Sequence, residues 1–352
     1  MAMKMSQNPV HAHRLARHWS QADLARQVGI SRTAVSAIEG NRLSPSVATA
    51  LALAAVFDCS VEELFAPGAQ RQPAAPAWAW APHTEPTRYW EAEVGQRRWL
   101  YPVESTALNS LPHDGIWEQG ICRERTAVSP EMTLTLATCD PAAGLLASEY
   151  ARATGFRLLV FPRGGGQALE LVRDGLVHIA ALHRSTEEHP ERNSQTVRER
   201  LGAGFQLLRV ADWEEGVALP PENSSHALSS VARRTDCWAA RELGSGAREC
   251  LDELLAGRRF AGREVAGHNS VAEAVRSGWA KAGVCVRLSA EEAGLNFLPV
   301  RQESLDLCFS HQCQRDRRVQ ALIHVLRSRS YQRLLSEIPG YDATHTGQLI
   351  SV

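Results

Sequence analysis

The sequence predicts an all-α helix-turn-helix domain followed by an α/β domain of two lobes, with a small β-hairpin region between them. Three features carry this expectation. Apolar residues recur at helical spacing over residues 10–65, a Pro- and Ala-rich stretch follows, and from residue 132 onward strand-like runs, Gly-bearing turns and helix-like runs alternate. The chain has 352 residues, enough for two or three domains with cores of their own. Hydrophobic residues make up 44% and charged residues 22%, which excludes wholesale disorder. A formal charge of -1 excludes a generally basic protein, so any nucleic-acid surface must be local.

The first segment reads as a set of short helices. Leu24, Val28, Ile30, Val35, Ile38, Leu51, Leu53, Val56, Val61 and Leu64 supply the apolar positions. Ser20, Ser31, Ser46 and Ser60 stand where N-caps belong, and Gly29 and Gly40 stand where helices should stop. The first twenty residues lack an apolar signal core, and the longest aliphatic stretch, near residues 50–57, is too short to span a membrane. A cytoplasmic protein with no membrane partner is expected. Its eight cysteines, with no CxxC pair, are then expected to be mostly buried thiols.

Within that segment, SQADLARQVGISRTAVSAIEGNRLSPS predicts one helix over residues 21–28, a turn at 29–31 and a second helix over 32–39. Ala25 is small where the helices cross and Gly29 permits the turn. Ile30, Val35 and Ile38 point inward, which leaves Arg32, Thr33 and Ser36 outward. The segment over about residues 11–65 resembles the DNA-binding domain of the phage repressor and Cro type, the xenobiotic-response-element family. By that resemblance the second helix reads base edges in the major groove of an operator duplex. The DNA-facing residues are Gln21, Ser31, Arg32, Thr33, Ser36, Asn41 and Arg42, with Gln21, Asn41 and Arg42 on phosphates and Arg32 the principal base reader. The nearly balanced charge makes a homodimer with two half-site contacts the expected binding form.

Residues 66–88 have the composition of an extended tether. Residues 89–128 follow as a connecting region, in which RYWEAEV and RRWLYPV flank the turn Gly95-Gln96 as a β-hairpin. The aromatic residues Trp78, Trp80, Tyr89 and Trp90 are expected to pack around the linker.

Residues 129–352 form the second domain. TLTLAT, RLLVFP and HIAALH alternate with PAAGLLASEYARA and GGGQALELVRDG, and a second series holds CWAAR, GSGARECLDELLAG, SVAEAVRSG, AGVCVRL and NFLPV, before helices near residues 319–328 and 331–337. Such alternation predicts parallel α/β units, and two series predict two lobes. Gly-bearing turns at residues 138–141, 163–167 and 243–247 place backbone N–H groups at helix N-termini, where anions are favoured. No lysine follows these glycines in the manner of an NTPase phosphate loop.

The runs LATCDPAAGLLASEYARATG, RELGSGARECLDELL, HNSVAEAVRSGWAKAGV and GYDATHTG resemble the type II periplasmic-binding-protein-like domain of cytosolic regulators, which also occurs beside molybdopterin-biosynthesis modules. The resemblance covers about residues 131–347 and implies two α/β lobes closing over a ligand. Carried onto this sequence, the ligand-binding residues are Cys139, Asp140, Gly165, Gly166, Gln167, His183, Arg241, Ser245, Gly246, Arg248, His268, Asn269 and Ser270. Lys281 stands where relatives carry an acidic residue. A small ligand, molybdate or another oxyanion, suits arginines and helix N-termini.

Each of these residues also has a structural reading: Asp140 as an N-cap, His183 as a core histidine, Arg248 paired with Glu242 or Asp252. Cys308, His311 and Cys313 offer three soft ligands without a fourth, and no metal or cofactor is expected. Gly244-Ser245-Gly246 lacks the nucleophile elbow of a hydrolase, so an enzyme is not expected. The sequence thus predicts a ligand-responsive, DNA-binding transcription regulator. The alternatives are a molybdopterin-related enzyme of cofactor metabolism and a metal-responsive repressor using Cys308, His311 and Cys313.

Overall fold

The computed structural model describes residues 8–59, 61–65, 76–104, 111–124, 128–222, 227–234, 236–259 and 261–352. They divide into two compact units, Met1–Ala75 and Pro76–Val352. The expected cap at Ser60 and the tether over residues 66–75 lie outside the described residues.

The first unit holds α1 (Pro9–Ala16), α2 (Gln21–Val28), α3 (Arg32–Glu39), α4 (Val47–Phe57) and α5 (Val61–Phe65). Local chemistry fixes the ends of α2 and α3. Ser20 accepts a hydrogen bond from the Asp23 backbone N–H while the Asp23 carboxylate takes the Ser20 N–H, a closed capping box. Gly29 ends α2 at φ 74°, a conformation that a side chain would strain. Ser31 and Ser46 cap α3 and α4 in the same way. Gly40 follows α3 at φ -83°, and the left-handed residue is its neighbour Asn41 at φ 55°, held by Asn8 Nδ2 donating to Asn41 Oδ1 at 2.6 Å. Val10, Leu24, Val35, Ile38, Leu53, Phe57 and Leu64 form the core.

The second unit opens with a five-stranded sheet of β1 (Ala77–Trp78), β2 (Thr87–Val94), β3 (Arg97–Pro102), β4 (Gly115–Glu118) and β5 (Ile121–Glu124), in the order β1-β3-β2-β4-β5. The expected hairpin is β2 and β3, with Val94 paired to Arg97 across the turn. The sheet is larger than expected and starts earlier, inside the stretch read as tether. The reason is aromatic. Trp90 and Tyr101 are fully buried, and Trp80, Trp90 and Tyr101 stack around Phe161 of the following α/β body. That face packs on the α/β body, and residues from Pro76 onward belong to the second unit.

The α/β body comprises β6 (Thr133–Thr138), α6 (Ala143–Thr154), β7 (Arg157–Pro162), α7 (Gly165–Arg173), β8 (Ile179–Thr186), α8 (Arg192–Leu201), β9 (Phe205–Leu219), α9 (Leu228–Arg234), β10 (Trp238–Ala240), α10 (Gly246–Leu255), β11 (Gly262–Glu264), α11 (His268–Arg276), β12 (Ala282–Val286), α12 (Arg287–Glu292), β13 (Asn296–Ser310), α13 (Arg317–Leu326), α14 (Arg329–Ser336), β14 (Tyr341–Asp342) and β15 (Leu349–Ser351). The main sheet runs β11-β10-β12-β9-β13-β8-β6-β7, and β14 and β15 pair with β9.

The two expected series are two lobes. In one, β6 pairs in parallel with β7 and β8; in the other, β10 pairs in parallel with β11 and β12. Between them the sheet is antiparallel, because the chain crosses from lobe to lobe along β9 and returns along β13. These strands pair from Phe205↔Ser310 to Asn296↔Leu219. Leu208, Val210, Trp213, Leu305, Leu307 and Phe309 serve the first lobe's core, and Val217, Leu219 and Leu298 the second's. The crossing falls between, near residues 214–216 and 301–303.

Candidate ligand cleft and helix-turn-helix surface

In the first unit α3 presents its early residues to solvent. Ser31, Arg32, Thr33 and Arg42 are exposed, Ser36 is half-buried, and Val35 and Ile38 face the core. Ser31 is occupied as the cap, accepting from the Ala34 N–H and contacting Thr33 Oγ1 at 2.9 Å. Gln21 is also occupied: its Nε2 donates to Glu39 Oε2 at 2.9 Å. Glu39 further accepts from Arg14 Nε at 2.6 Å and Arg14 Nη2 at 3.1 Å, and it meets His11 Nδ1 at 3.2 Å. This one carboxylate ties α1 and α2 to the end of α3. Burial would raise its pKa, yet the bonds from Arg14, Gln21 and His11 hold it below the ordinary glutamate value.

In the second unit a cleft of about 820 Å³ opens at the carboxyl ends of the parallel strands, the expected place for a ligand in an open α/β sheet. Its wall follows the strand ends: Thr138, Cys139, Asp140 and Pro141 after β6, Pro162, Arg163, Gly164 and Gln167 after β7, Arg241 and Glu242 after β10, and residues 264–270 after β11. The first residues of α11, His268, Asn269 and Ser270, line the same space, as does Gln167 in the first turn of α7.

Arg241 and His268 in the cleft wall carry buried polar atoms without hydrogen bonds. Arg241, 2% exposed, donates to Glu242 through Nε at 2.9 Å and Nη2 at 2.8 Å, while its Nη1 makes no hydrogen bond; the same guanidinium bears on the Cys139 sulfur. His268, 1% exposed, has no partner for either ring nitrogen. Burial, with Arg241 and His183 nearby, pushes its pKa well below the ordinary histidine value, so the ring is neutral.

Below the cleft runs a line of charge. Cys139 Sγ lies 3.2 Å from His183 Nε2, and His183 Nδ1 lies 2.6 Å from Glu303 Oε2. Trp213 Nε1 donates to Glu303 Oε2 at 3.4 Å, and Arg301 Nε donates to Glu303 Oε1 at 2.7 Å. Burial would raise the Cys139 thiol, but the His183 and Arg241 charges outweigh it and favour thiolate. Burial would likewise lower His183, but Cys139 and Glu303 hold it well above its ordinary value. Burial opposes ionisation of Glu303, yet His183 and Arg301 bring its pKa down to about 2. Neighbouring Glu215, buried and facing that charge, is pushed well up and stays protonated. Glu303, Glu215, Arg301 and Trp213 stand at the lobe crossing of β9 and β13.

The structure brings together Cys139, Asp140, Gln167, Arg241, His268, Asn269 and Ser270 around the cleft, with His183 directly beneath Cys139. Asp140 is turned inward, its Oδ1 accepting from the Ala142 N–H at 2.8 Å and from Tyr341 Oη at 2.6 Å. Gly165 and Gly166 line a smaller hollow with Gly244 and Gly246. Ser245, Gly246 and Arg248 lie off the cleft wall. Ser245 caps α10 and donates Oγ to the Glu242 carbonyl at 2.8 Å. Gly246 packs on His183, and Arg248 Nε donates to Asp252 Oδ1 at 3.0 Å. A Gly-Ser-Gly turn that looks like an anion loop is thus used for helix packing. Lys281 pairs with Asp236 at 2.9 Å on the surface. Cys308 is buried within β13, and among the described residues Cys308, His311 and Cys313 do not form a group whose ligand atoms converge.

Residues 10–64 match the helix-turn-helix family. Residues 147–327, just over half of the chain, match the PBP superfamily domain. The chain belongs to the PBP superfamily. It joins this PBP domain to a helix-turn-helix domain. A Bacillus subtilis (strain 168) protein, the uncharacterized protein YvgK, is 28% identical over 198 residues, which is 53% of this chain and 64% of that protein. The chain thus spans less than two thirds of that relative's length. Among solved structures, a phosphate ABC transporter substrate-binding protein with bound phosphate from Clostridium perfringens is similar at 10% identity and TM-score 0.48, covering 62% of this chain and 99% of that one. An OxyR mutant from Corynebacterium glutamicum is similar at 13% identity and TM-score 0.41, covering 58% of this chain and 64% of that one. No helix among the described residues is long and apolar enough to cross a membrane.

Proposed function

We propose that this PBP-superfamily regulator binds an operator through α3 and a small anion, of the tetrahedral oxyanion class that includes molybdate, in the cleft between its lobes. One observation carries the anion reading: Arg241 Nη1 is buried in the cleft wall without a hydrogen bond, in a space that the first residues of α11 also line. An unmade bond on a buried guanidinium is costly, and an anion placed there would satisfy it with charge-assisted bonds. Ligand binding acts on DNA affinity only by preferring one lobe arrangement, and a coupling of about 1–3 kcal/mol changes operator affinity several-fold to a hundredfold. Two copies on a two-fold operator suit the helix-turn-helix surface, and the exposed apolar residues Leu43, Val47 and Leu51 supply a face for pairing.

The test is calorimetric titration of the full chain with molybdate, tungstate, phosphate, sulfate and small organic acids. Wild type is expected to bind one of these classes, and Arg241→Ala to bind it at least tenfold more weakly, since a bond to a charged group contributes about 1.5–3 kcal/mol. Equal affinity in the two proteins sinks the assignment of Arg241. Among the described residues the repressor built on Cys308, His311 and Cys313 lacks a convergent site.

A further inference from the structure

The cleft floor holds more chemistry than anion binding uses. Cys139, His183 and His268 are brought together from the ends of β6 and β8 and the start of α11, so both lobes contribute. The Cys139 Sγ and one ring nitrogen of each histidine all lie within 4.8 Å of one another. We propose that these three residues form a binding site for a thiolate- and imidazole-seeking transition-metal ion of the zinc or copper(I) class, with its open coordination position facing the cleft.

Four observations carry it. The first is His268. A neutral buried imidazole with both nitrogens unpartnered is a cost with no return inside the protein, and its one ring lone pair, on the nitrogen without the proton, is free for a metal. The second is the orientation of His183. Glu303 holds Nδ1 at 2.6 Å, which turns Nε2 toward Cys139, the carboxylate–histidine arrangement that orients metal-ligating histidines. The third is spacing. Metal bonds of about 2.3 Å to sulfur and about 2.05 Å to nitrogen set tetrahedral ligands ~3.4–3.6 Å apart. The Cys139–His183 pair stands at 3.2 Å, and all three ligand atoms lie within 4.8 Å of one another. The fourth is the ligand set itself: one thiolate and two imidazoles select zinc, copper(I) or cobalt over magnesium and calcium, which take oxygen.

The other convergent group, His183 with Glu215 and Glu303, is unsuited, because Arg301 already fills it, donating to Glu303 at 2.7 Å and lying 3.3 Å from Glu215. Near the proposed site Arg241 is countered by Glu242, so its charge does not stand alone against a cation. Three protein ligands leave one coordination position, and Cys139, His268 and Arg241 line the same cleft. An anion there would bridge metal and guanidinium. This deepens the anion-cleft reading without depending on it.

The experiment adds Co²⁺ alone to the metal-stripped full chain in a buffer free of oxyanions and follows the absorption spectrum. One Co²⁺ per chain is expected, with a thiolate-to-cobalt charge-transfer band in the near ultraviolet. Cys139→Ser should abolish the band, and His268→Ala should weaken Co²⁺ binding at least tenfold with the thermal unfolding temperature unchanged. If His268→Ala unfolds, His268→Gln preserves the volume and takes its place. Cys237→Ser, away from the cleft, should leave spectrum and affinity as in wild type. Absence of the band in wild type, or its persistence in Cys139→Ser, overturns the proposal. Oxyanion binding by the metal-free chain with no cobalt band leaves the anion reading standing and removes this one; a cobalt band without oxyanion binding does the reverse.

Discussion

Glu39 is the single side chain on which the helix-turn-helix packing most depends, and its removal gives a sharp prediction. It sits at the last turn of α3 and gathers Arg14, Gln21 and His11 from α1 and α2. Arg14 is 7% exposed, and besides Glu39 its remaining strong bond is Nη1 to the Trp19 carbonyl at 2.7 Å. Glu39→Ala therefore strands a guanidinium inside the unit and leaves Gln21 without its acceptor. Breaking a buried ion pair from one side costs about 3–5 kcal/mol, and the partial solvent access of His11 points to the lower end, about 3 kcal/mol. Amides that exchange through global opening of this unit should then exchange about 100-fold faster, at about 1.4 kcal/mol per tenfold. Hydrogen exchange read on peptides from α1 and α3 measures this, with α10 of the other unit as an internal reference that should not move. Replacing both partners, Glu39→Ala with Arg14→Met, should recover part of the loss, because the stranded charge is gone. Acceleration below about fivefold in the single variant would refute the bracing role, since a surface pair contributes no more than about 1 kcal/mol.

Arg32→Ala should flatten base preference at one operator position by about 1–3 kcal/mol, read by selection from a random duplex pool, while calorimetric ligand binding stays as in wild type. Gly246→Ala places a Cβ 2.7 Å from His183 Cε1 and 2.8 Å from the His183 carbonyl oxygen, so overpacking by about 1–3 kcal/mol should lower the unfolding temperature of the second unit; an unchanged melt would mean α10 moves freely. His178 is buried and neutral, Nε2 facing the Glu93 carbonyl at 2.8 Å and Nδ1 accepting from the Thr135 N–H at 3.1 Å; burial, with Arg318 adding to it, lowers its pKa to about 3. Its unfolded pKa is about 6.5, so its contribution is complete above that pH and falls by about 1.4 kcal/mol per unit as pH drops toward 3. The stability difference between wild type and His178→Gln, measured by denaturant titration, should therefore shrink from pH 7 to pH 5, and a constant difference would contradict it.

Much of this molecule is legible where the deciding interactions are short-range. Residues 21–39 form two helices and a turn as read, because Ser20, Gly29 and Ser31 act on backbone groups within a few residues. TLTLAT and RLLVFP are strands to the residue, being short runs rich in apolar and β-branched residues and bounded by turn signals. The crossing strands were harder to see. NFLPV is only the beginning of a fifteen-residue strand whose charged half reads as loop until its partner is known. Glu303 lies 120 positions from His183, and no local pattern links them. A signal did exist, in DWEEGVAL and VRQESLDL: acidic residues inside strand-like runs are costly unless paired, and a paired set of this kind marks a site. Gln21 and Arg248 show the opposite limit. Each is placed by sequence on a ligand-facing position, and each is held by a carboxylate of its own unit.

The way β9 and β13 traverse the sheet has an engineering consequence. The second lobe is one continuous excursion of the chain, and it leaves and re-enters at residues that face each other in register, Trp213 and Glu303. Its two ends are therefore neighbours, and the lobe can be exchanged as a cassette without stretching the scaffold that receives it. Such a graft would not be neutral. Its downstream seam is Glu303, the carboxylate that orients His183 in the recipient lobe, so a donor lacking an acid there would arrive with its own binding wall and disarm the floor beneath it.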